Sequence, residues 1–382
     1  MVMEERVTIA AKKEQKVEKN KQLARLVAFY LPQFHPIPEN DEWWGKGFTE
    51  WTNVAKAKPL YRGHHQPNLP ADLGFYDLRV PEVRLAQAQL AQEYGVEAFC
   101  YWHYWFGDGQ RLLERPFNEV LQSRQPDFPF CLAWANRSWT GIWHGAPNRL
   151  LIKQKYPGER DYKDHFYSLL EAFYDPRYFS IDGKKLFVVF DPMNLPDPVY
   201  FTNLWRELAS KESFGDLFFV GVANKLNWNP QKHGFDATTL NAPLLQVDNL
   251  PRGTNKNYYR FLRYLGSKSP YQERQKLRIY EYKDIVDRYS NQPLREEEYP
   301  LVLPNWDNTS RSGYRGVVIQ NSTPELFKKM LEKAIDRIEN RELEQKIIFV
   351  KSWNEWAEGN YLEPDRRFGR SYLEVIKSVV TG

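Results

Sequence analysis

The sequence reads as a single parallel α/β domain, a (β/α)8 barrel over residues 25–382 with long βα loops, preceded by a charged tail or linker over 1–24. Three observations predict it. Eight short apolar runs, rich in β-branched and aromatic residues, are separated by amphipathic helical patterns or long loops. The length, 382 residues, suits one large barrel. Polar and aromatic clusters stand at the C-terminal ends of nearly all these runs, the ends that a barrel gathers on one face. An open doubly wound sheet is the competing architecture. It announces itself by a glycine-rich turn after the first strand, and Tyr30-Leu31-Pro32-Gln33 is not one.

Residues 1–24 alternate Lys and Glu without an apolar stripe, the pattern of a solvated helix or a disordered segment. Leu26–Tyr30 is then a buried strand, followed by a long loop over 33–80; long ordered loops in compact domains usually carry function. A helix is expected from Val83 to Tyr94, ended by Gly95, and a strand from Val96 to Trp102. Next come a helix around Arg111–Leu121, a strand over Phe128–Asn136, a helix over Tyr162–Phe173 and a strand over Lys185–Phe190. A helix over Val199–Lys211 and strands over Leu217–Ala223 and Phe235–Leu240 follow. Residues 246–298 read as irregular, apart from a helix near Tyr282–Tyr289. Tyr299–Trp306 is the seventh strand, Thr323–Arg341 a long helix, Ile347–Ser352 the eighth strand and Ser371–Val380 a closing helix.

Composition narrows the function. Hydrophobic residues make up 42%, enough for a sizeable core, and aromatic residues 15%, with 13 Trp and 23 Tyr. Flat apolar faces with a polar edge suit sugar rings, whose C–H faces are rimmed by hydroxyls. The net charge of +4 is mild, with much of the basic excess in 12–25 and 252–278, and favours no nucleic-acid partner. Cys100 and Cys131 fall in predicted strands and read as buried thiols. No Cys/His metal spacing and no membrane-length apolar run occur. No signal-peptide core is seen at the N-terminus, so the expected location is cytoplasmic, or periplasmic or secreted if a leader has been removed.

The chemistry concentrates after the eighth strand, in Ser352-Trp353-Asn354-Glu355-Trp356-Ala357-Glu358-Gly359. On a continuing strand the two glutamates would face opposite ways. They share a pocket only if the backbone bends or starts a helical turn after Trp356. Two carboxyls close together among tryptophans suit glycosidic-bond chemistry, one held protonated by apolar surroundings and the other charged. The plainer alternative is a strand end with two solvated glutamates. Glu355 and Glu358 are the candidate catalytic pair. Asp307 and Glu50 are the next carboxylates, and either could instead pin a loop. Asp191, before Pro192, reads as a loop cap.

Candidate substrate contacts come from the other strand ends and the first loop: Trp44, Glu50 and Trp51, with Gly45 and Gly47 permitting tight turns, then His64, His65 and Gln66. Tyr101, His103 and Tyr104 follow the second strand, and Trp134, Asn136, Arg137 and Trp139 the third. Trp306 and Asp307 follow the seventh, and Trp353 and Asn354 the eighth. His103 could equally be a satisfied core histidine. Tyr258-Tyr259-Arg260-Phe261, with Arg263 and Tyr264, reads as a packed helix ahead of a membrane- or polymer-touching surface.

Taken together, Ala28–Pro36, Trp44–Asn53, Gly63–Pro67, Phe99–Phe106 and Ser352–Gly359 resemble the WbsX-type family, glycoside-hydrolase-family-99-like proteins of bacterial polysaccharide loci. The resemblance runs from about Leu26 to the C-terminus. It implies a (β/α)8 barrel acting on an oligo- or polysaccharide without a cofactor or metal. Family 99 hydrolases are retaining endo-α-mannosidases and mannanases, and their Asn-Glu-Trp-X-Glu-Gly motif matches Asn354–Gly359. By that match Glu358 is the acid/base, and Glu355 deprotonates a sugar 2-hydroxyl that attacks the anomeric carbon to form a 1,2-anhydro intermediate. One departure stands out. The family commonly has an acidic residue where this chain has Arg137, and often an aspartate where it has His144, which implies a different substrate group, such as an acidic sugar, sulfate or phosphate. The family label also admits a glycosyltransferase of surface-polysaccharide assembly, although no Asp-X-Asp triplet is present, and a non-catalytic glycan-binding barrel is the third reading.

Overall fold

The computed structural model describes residues 22–141, 146–241 and 277–381. Most of the charged tail, His144, the Tyr258–Tyr264 stretch and nearly all of the basic 252–278 segment lie outside the described residues.

The strands that build the barrel are β1 (Arg25–Tyr30), β2 (Val96–Trp105), β3 (Phe130–Trp134), β4 (Lys184–Val189), β5 (Leu217–Ala223) and β6 (Ala237–Leu240). They are completed by β7, in two segments Glu298–Tyr299 and Leu301–Val302, and β8 (Ile347–Val350). All neighbours are parallel. The order runs from the first segment of β7 through β6, β5, β4, β3, β2, β1 and β8 to the second segment of β7. The two ends of that path are one stretch of chain interrupted only by Pro300, which has no N–H to give the ladder. Its carbonyl still accepts from Phe349 N at 2.9 Å, so the barrel closes through this proline.

The barrel interior is filled, not open. Phe29 stacks on Trp102 (4.7 Å between centroids) and on Phe349 (5.6 Å), and Phe190 meets Trp102 edge-on at 5.3 Å. These rings form the floor on which the site stands. Helices Pro81–Glu93, Arg115–Ser123, Pro198–Glu212, Pro324–Asp336 and Ser371–Val380 follow their strands. Four of them begin with proline in the first turn, where its missing N–H costs nothing. Cys100 and Cys131 are register partners on β2 and β3, both buried free thiols.

Several elements differ from expectation: the 33–80 loop holds helices Pro38–Trp44 and Glu50–Lys56, and the helix expected to Arg341 ends at Asp336. The seventh strand leaves the barrel after Val302, because Pro304 cannot extend the ladder; Trp306–Asp307 instead joins a separate three-stranded sheet with Arg278–Glu281 and Val317–Gln320. Those last two strands carry short apolar runs with no long alternation to announce them. The helix expected from Arg111 begins at Arg115, and Arg111–Leu112 pairs antiparallel with the end of β2. The segment expected as the Tyr162–Phe173 helix is two helices, Glu159–Ser168 and Leu170–Tyr174.

Candidate active site

After β8 the chain makes a two-residue strand, Asn354–Glu355, paired with Asn360–Tyr361, and between them a 3-10 turn over Trp356–Glu358. This is the bend the two glutamates require. Gly359 closes it at φ 52°, where a Cβ would come within 2.8 Å of the Asp307 backbone nitrogen, so no larger residue fits.

The turn brings Glu355 and Glu358 onto one buried cation, Arg311, in the short helix Thr309–Ser312. Nη1 donates to Glu358 Oε1 at 2.7 Å, and Nη2 lies 3.5 Å from Glu355 Oε2. The same guanidinium meets Glu50, the first residue of helix Glu50–Lys56, through Nε (3.2 Å) and Nη2 (3.0 Å). Burial tends to strip the Arg311 proton, but Glu50, Glu358 and Glu355 outweigh it and hold the guanidinium charged. Glu355 also accepts from the Trp102 indole at 3.1 Å. Burial first, and then the Glu358 charge, push its carboxyl up to about 7, against the pull of Arg311 and Lys351. Burial likewise raises Glu50.

The glutamates open into a cleft of about 400 Å3 at the C-terminal mouth of the barrel. Trp44, Trp102, Tyr104, Trp139, Phe190 and Trp306 supply its aromatic wall. Arg137 and Lys351 stand in it as cations beside Arg311. Arg137 is held by Asp191 (2.8 Å) and lies over the Phe190 ring.

Strand parity sorts the remaining candidates. On β2, Trp102 and Tyr104 face the cleft, while Tyr101 packs outward on Tyr30 and Phe117. His103 also lies outside the cleft lining, its Nε2 2.8 Å from His165 Nε2; burial holds both rings well below the usual imidazole range, as neutral core groups. Trp134 is buried with its indole on the Trp105 carbonyl (2.9 Å). Asn136 bonds both backbone groups of Asp191, and Trp353 packs against Phe99. Asn354 gives its amide to the Leu31 backbone, accepting from N at 2.7 Å and donating to O at 3.1 Å, which ties the end of β1 to the glutamate turn. Trp51 sits in the core of the first loop, against Trp356, with its indole on Tyr76 O (2.7 Å).

Asp307 gathers another group. Its Oδ2 accepts from Gln66 (2.6 Å) and His64 Nε2 (2.7 Å), and its Oδ1 from Thr309 N at 3.0 Å. Leu60 N–H donates to His64 Nδ1, so the ring proton is on Nε2 and the imidazole is neutral. These bonds pin the first loop beside Trp306. His65 is exposed at a small polar cavity on the far side of Trp306. Among the described residues no group of three or more His, Cys, Asp or Glu side chains is placed to hold a metal.

Sequence reading missed Arg311, Trp102, Lys351 and Asn241. Period-two alternation from Tyr104 would have found Trp102, and from Phe349 would have found Lys351. Nothing local marks Arg311.

The family model described as glycosyltransferase WbsX matches residues 26–376. The chain belongs to the WbsX family. Two curated relatives, both uncharacterized proteins WxcX from strains B100 and ATCC 33913 of Xanthomonas campestris pv. campestris, are 37% identical over 360 residues. That alignment takes in 94% of this chain and 50% of each relative, so this WbsX-family chain spans half their length. Among solved structures, a glycoside hydrolase-like protein superposes with TM-score 0.57 at 15% identity, covering 94% of both chains. The family 99 endo-α-mannosidase from Bacteroides thetaiotaomicron, in complex with bis-tris-propane, gives 0.55 at 15% identity, covering 93% of this chain and 96% of that one. This WbsX-family chain thus has a glycosidase-like barrel fold. No helix among its described residues is long and apolar enough to cross a membrane.

Proposed function

We propose that this WbsX-family chain is a retaining, endo-acting glycoside hydrolase of a bacterial or related polysaccharide. The observation that carries the reading is the pair of glutamates turned onto one buried arginine at the foot of an aromatic cleft. In this reading Glu355 removes the proton from a sugar 2-hydroxyl, whose oxygen attacks the anomeric carbon as the glycosidic bond breaks. Glu358 gives a proton to the departing oxygen. Water then opens the 1,2-anhydro ring, with Glu358 taking its proton and Glu355 returning one to O2. A base titrating near neutrality is well matched to the first step. Glu358 accepts from Arg311 Nη1 at 2.7 Å, so substrate has to loosen that bond before Glu358 reaches the departing oxygen. The pathway suits a 2-hydroxyl trans to the leaving group, as in α-mannosides.

The family's description as glycosyltransferase WbsX favours a second reading, a glycosyltransferase of polysaccharide assembly. Mass spectrometry of products from a panel of neutral, acidic and sulfated polysaccharides separates the two, with sugar nucleotides in parallel samples and Glu358→Gln as control. Shortened oligosaccharides that vanish in the variant support the hydrolase. Extension that depends on a sugar nucleotide supports the transferase. Binding without turnover in either arm makes the barrel a glycan-binding module.

A further inference from the structure

We propose that Lys351 is an oxyanion subsite of the cleft, which selects a glycan bearing a carboxylate or sulfate beside the glutamate pair. This rests on the glycan reading and names its substrate class.

Lys351 follows β8 directly and is 8% exposed, yet it lines the cleft. Its Nζ donates to Asn241 Oδ1 at 2.9 Å and stands 5.0 Å from the centre of the Trp306 ring. Asn241 is fixed in turn: its Nδ2 donates to Asn224 Oδ1 (3.0 Å) and its backbone N–H to Ala223 O (2.9 Å). The amide oxygen is therefore aimed at the ammonium by the ends of β5 and β6. An ammonium carries three N–H donors, and the amide takes one.

The other cations on the cleft wall are already matched. Arg137 has Asp191, and Arg311 has three glutamates. Among the described residues no carboxylate lies within 4 Å of Lys351 Nζ; its partners are an amide oxygen and a π face, both neutral. Burial, together with the fields of Arg311 and Arg137, works against its charge, and Glu358 and Glu355 support it from further away. A buried ammonium without a direct counter-ion is costly, and an oxyanion carried in by the ligand removes that cost. A sugar hydroxyl would take a donor without neutralising the charge, so acidic and neutral sugars are told apart here.

The test is calorimetric titration of the Glu358→Gln protein at constant ionic strength. The probes are acidic tetrasaccharides (oligogalacturonide, hyaluronan, carrageenan), neutral ones (α-mannan, galactan) and uridine diphosphate. The expected result is an acidic glycan bound about tenfold or more tighter than any neutral one. That preference falls to within about twofold in Lys351→Met and in Asn241→Asp, which sets a carboxylate against the ammonium and fills the subsite from within. Thermal melts establish that both variants are folded; if Lys351→Met is not, Asn241→Asp decides alone. Equal binding of acidic and neutral glycans, or a preference that survives substitution, overturns the subsite and leaves the hydrolase reading standing. Binding of uridine diphosphate alone, or of no probe, overturns both.

Discussion

The Arg311 guanidinium donates to Glu358 at 2.7 Å while its other edge is held by Glu50, so a residue from the first βα loop sets the position of a carboxylate from the last. With Glu355 3.5 Å away, one buried cation carries three glutamates. Arg311 is therefore expected to organise both candidate catalysts without itself exchanging protons.

Replacing Arg311 by Met leaves buried carboxylates without their counter-charge. The expected loss is about 3–5 kcal/mol of stability, with activity at least ~100-fold down. Arg311→Lys keeps the charge but cannot address Glu50 and Glu358 at once, and should fold while remaining impaired. Thermal melts and kcat/KM check both. Wild-type activity in Arg311→Met would dismiss the clamp.

The pH profile follows from Glu355. As the base it must be charged while Glu358, the acid, carries a proton, so the working pair holds one proton. Burial and the Glu358 charge raise the Glu355 carboxyl to about 7, and kcat/KM should fall through a basic limb near there as the pair loses that proton. The limb belongs to the Glu355–Glu358 pair as a unit. Glu355→Gln and Glu358→Gln should each lose at least ~100-fold in rate. A flat profile from pH 5 to 8 would count against the assignment.

Trp102 donates its indole N–H to Glu355 at 3.1 Å, a bond that favours the charged carboxylate. Trp102→Phe keeps the stack on Phe29 but removes the donor. The limb near pH 7 should shift upward and kcat/KM fall about tenfold. An unshifted limb in a folded variant would show the bond to be inconsequential.

Glu363 is buried behind the glutamate turn, accepting from Trp356 (2.6 Å), Gln87 (2.6 Å) and Tyr76 (2.9 Å). Burial outweighs these bonds and raises its carboxyl to about 7. A folded-state value above the unfolded one means stability that is complete below the usual carboxylate range and lost as pH rises towards 7. Glu363→Gln cannot ionise, so its melting temperature should fall less than wild type's between pH 5 and 7.5. Parallel curves would place the titration elsewhere.

Much of the fold was legible because parallel barrel strands are buried on both faces and read as continuous apolar runs. The misreadings fall where such runs are short or broken by proline. Pro304 ended β7 before Trp306, and Val317–Gln320 was too brief to register. At the site, the aromatic crowding at the end of β2 was visible, but not which residues turn inward: Trp102 reaches Glu355, whereas His103 meets His165.

What the sequence determined by itself was local: the strand–helix alternation, the strand-end clusters and the need for a bend between Glu355 and Glu358. Period-two and helical patterns are set by near neighbours, and near neighbours can be read in order. Only the tertiary structure decided what the glutamates face. Arg311 stands 261 positions from Glu50 and 47 from Glu358, and Asn241 stands 110 from Lys351. Such pairings arise when barrel closure converges distant loops on one mouth, and a buried charge then takes whatever partner closure leaves beside it.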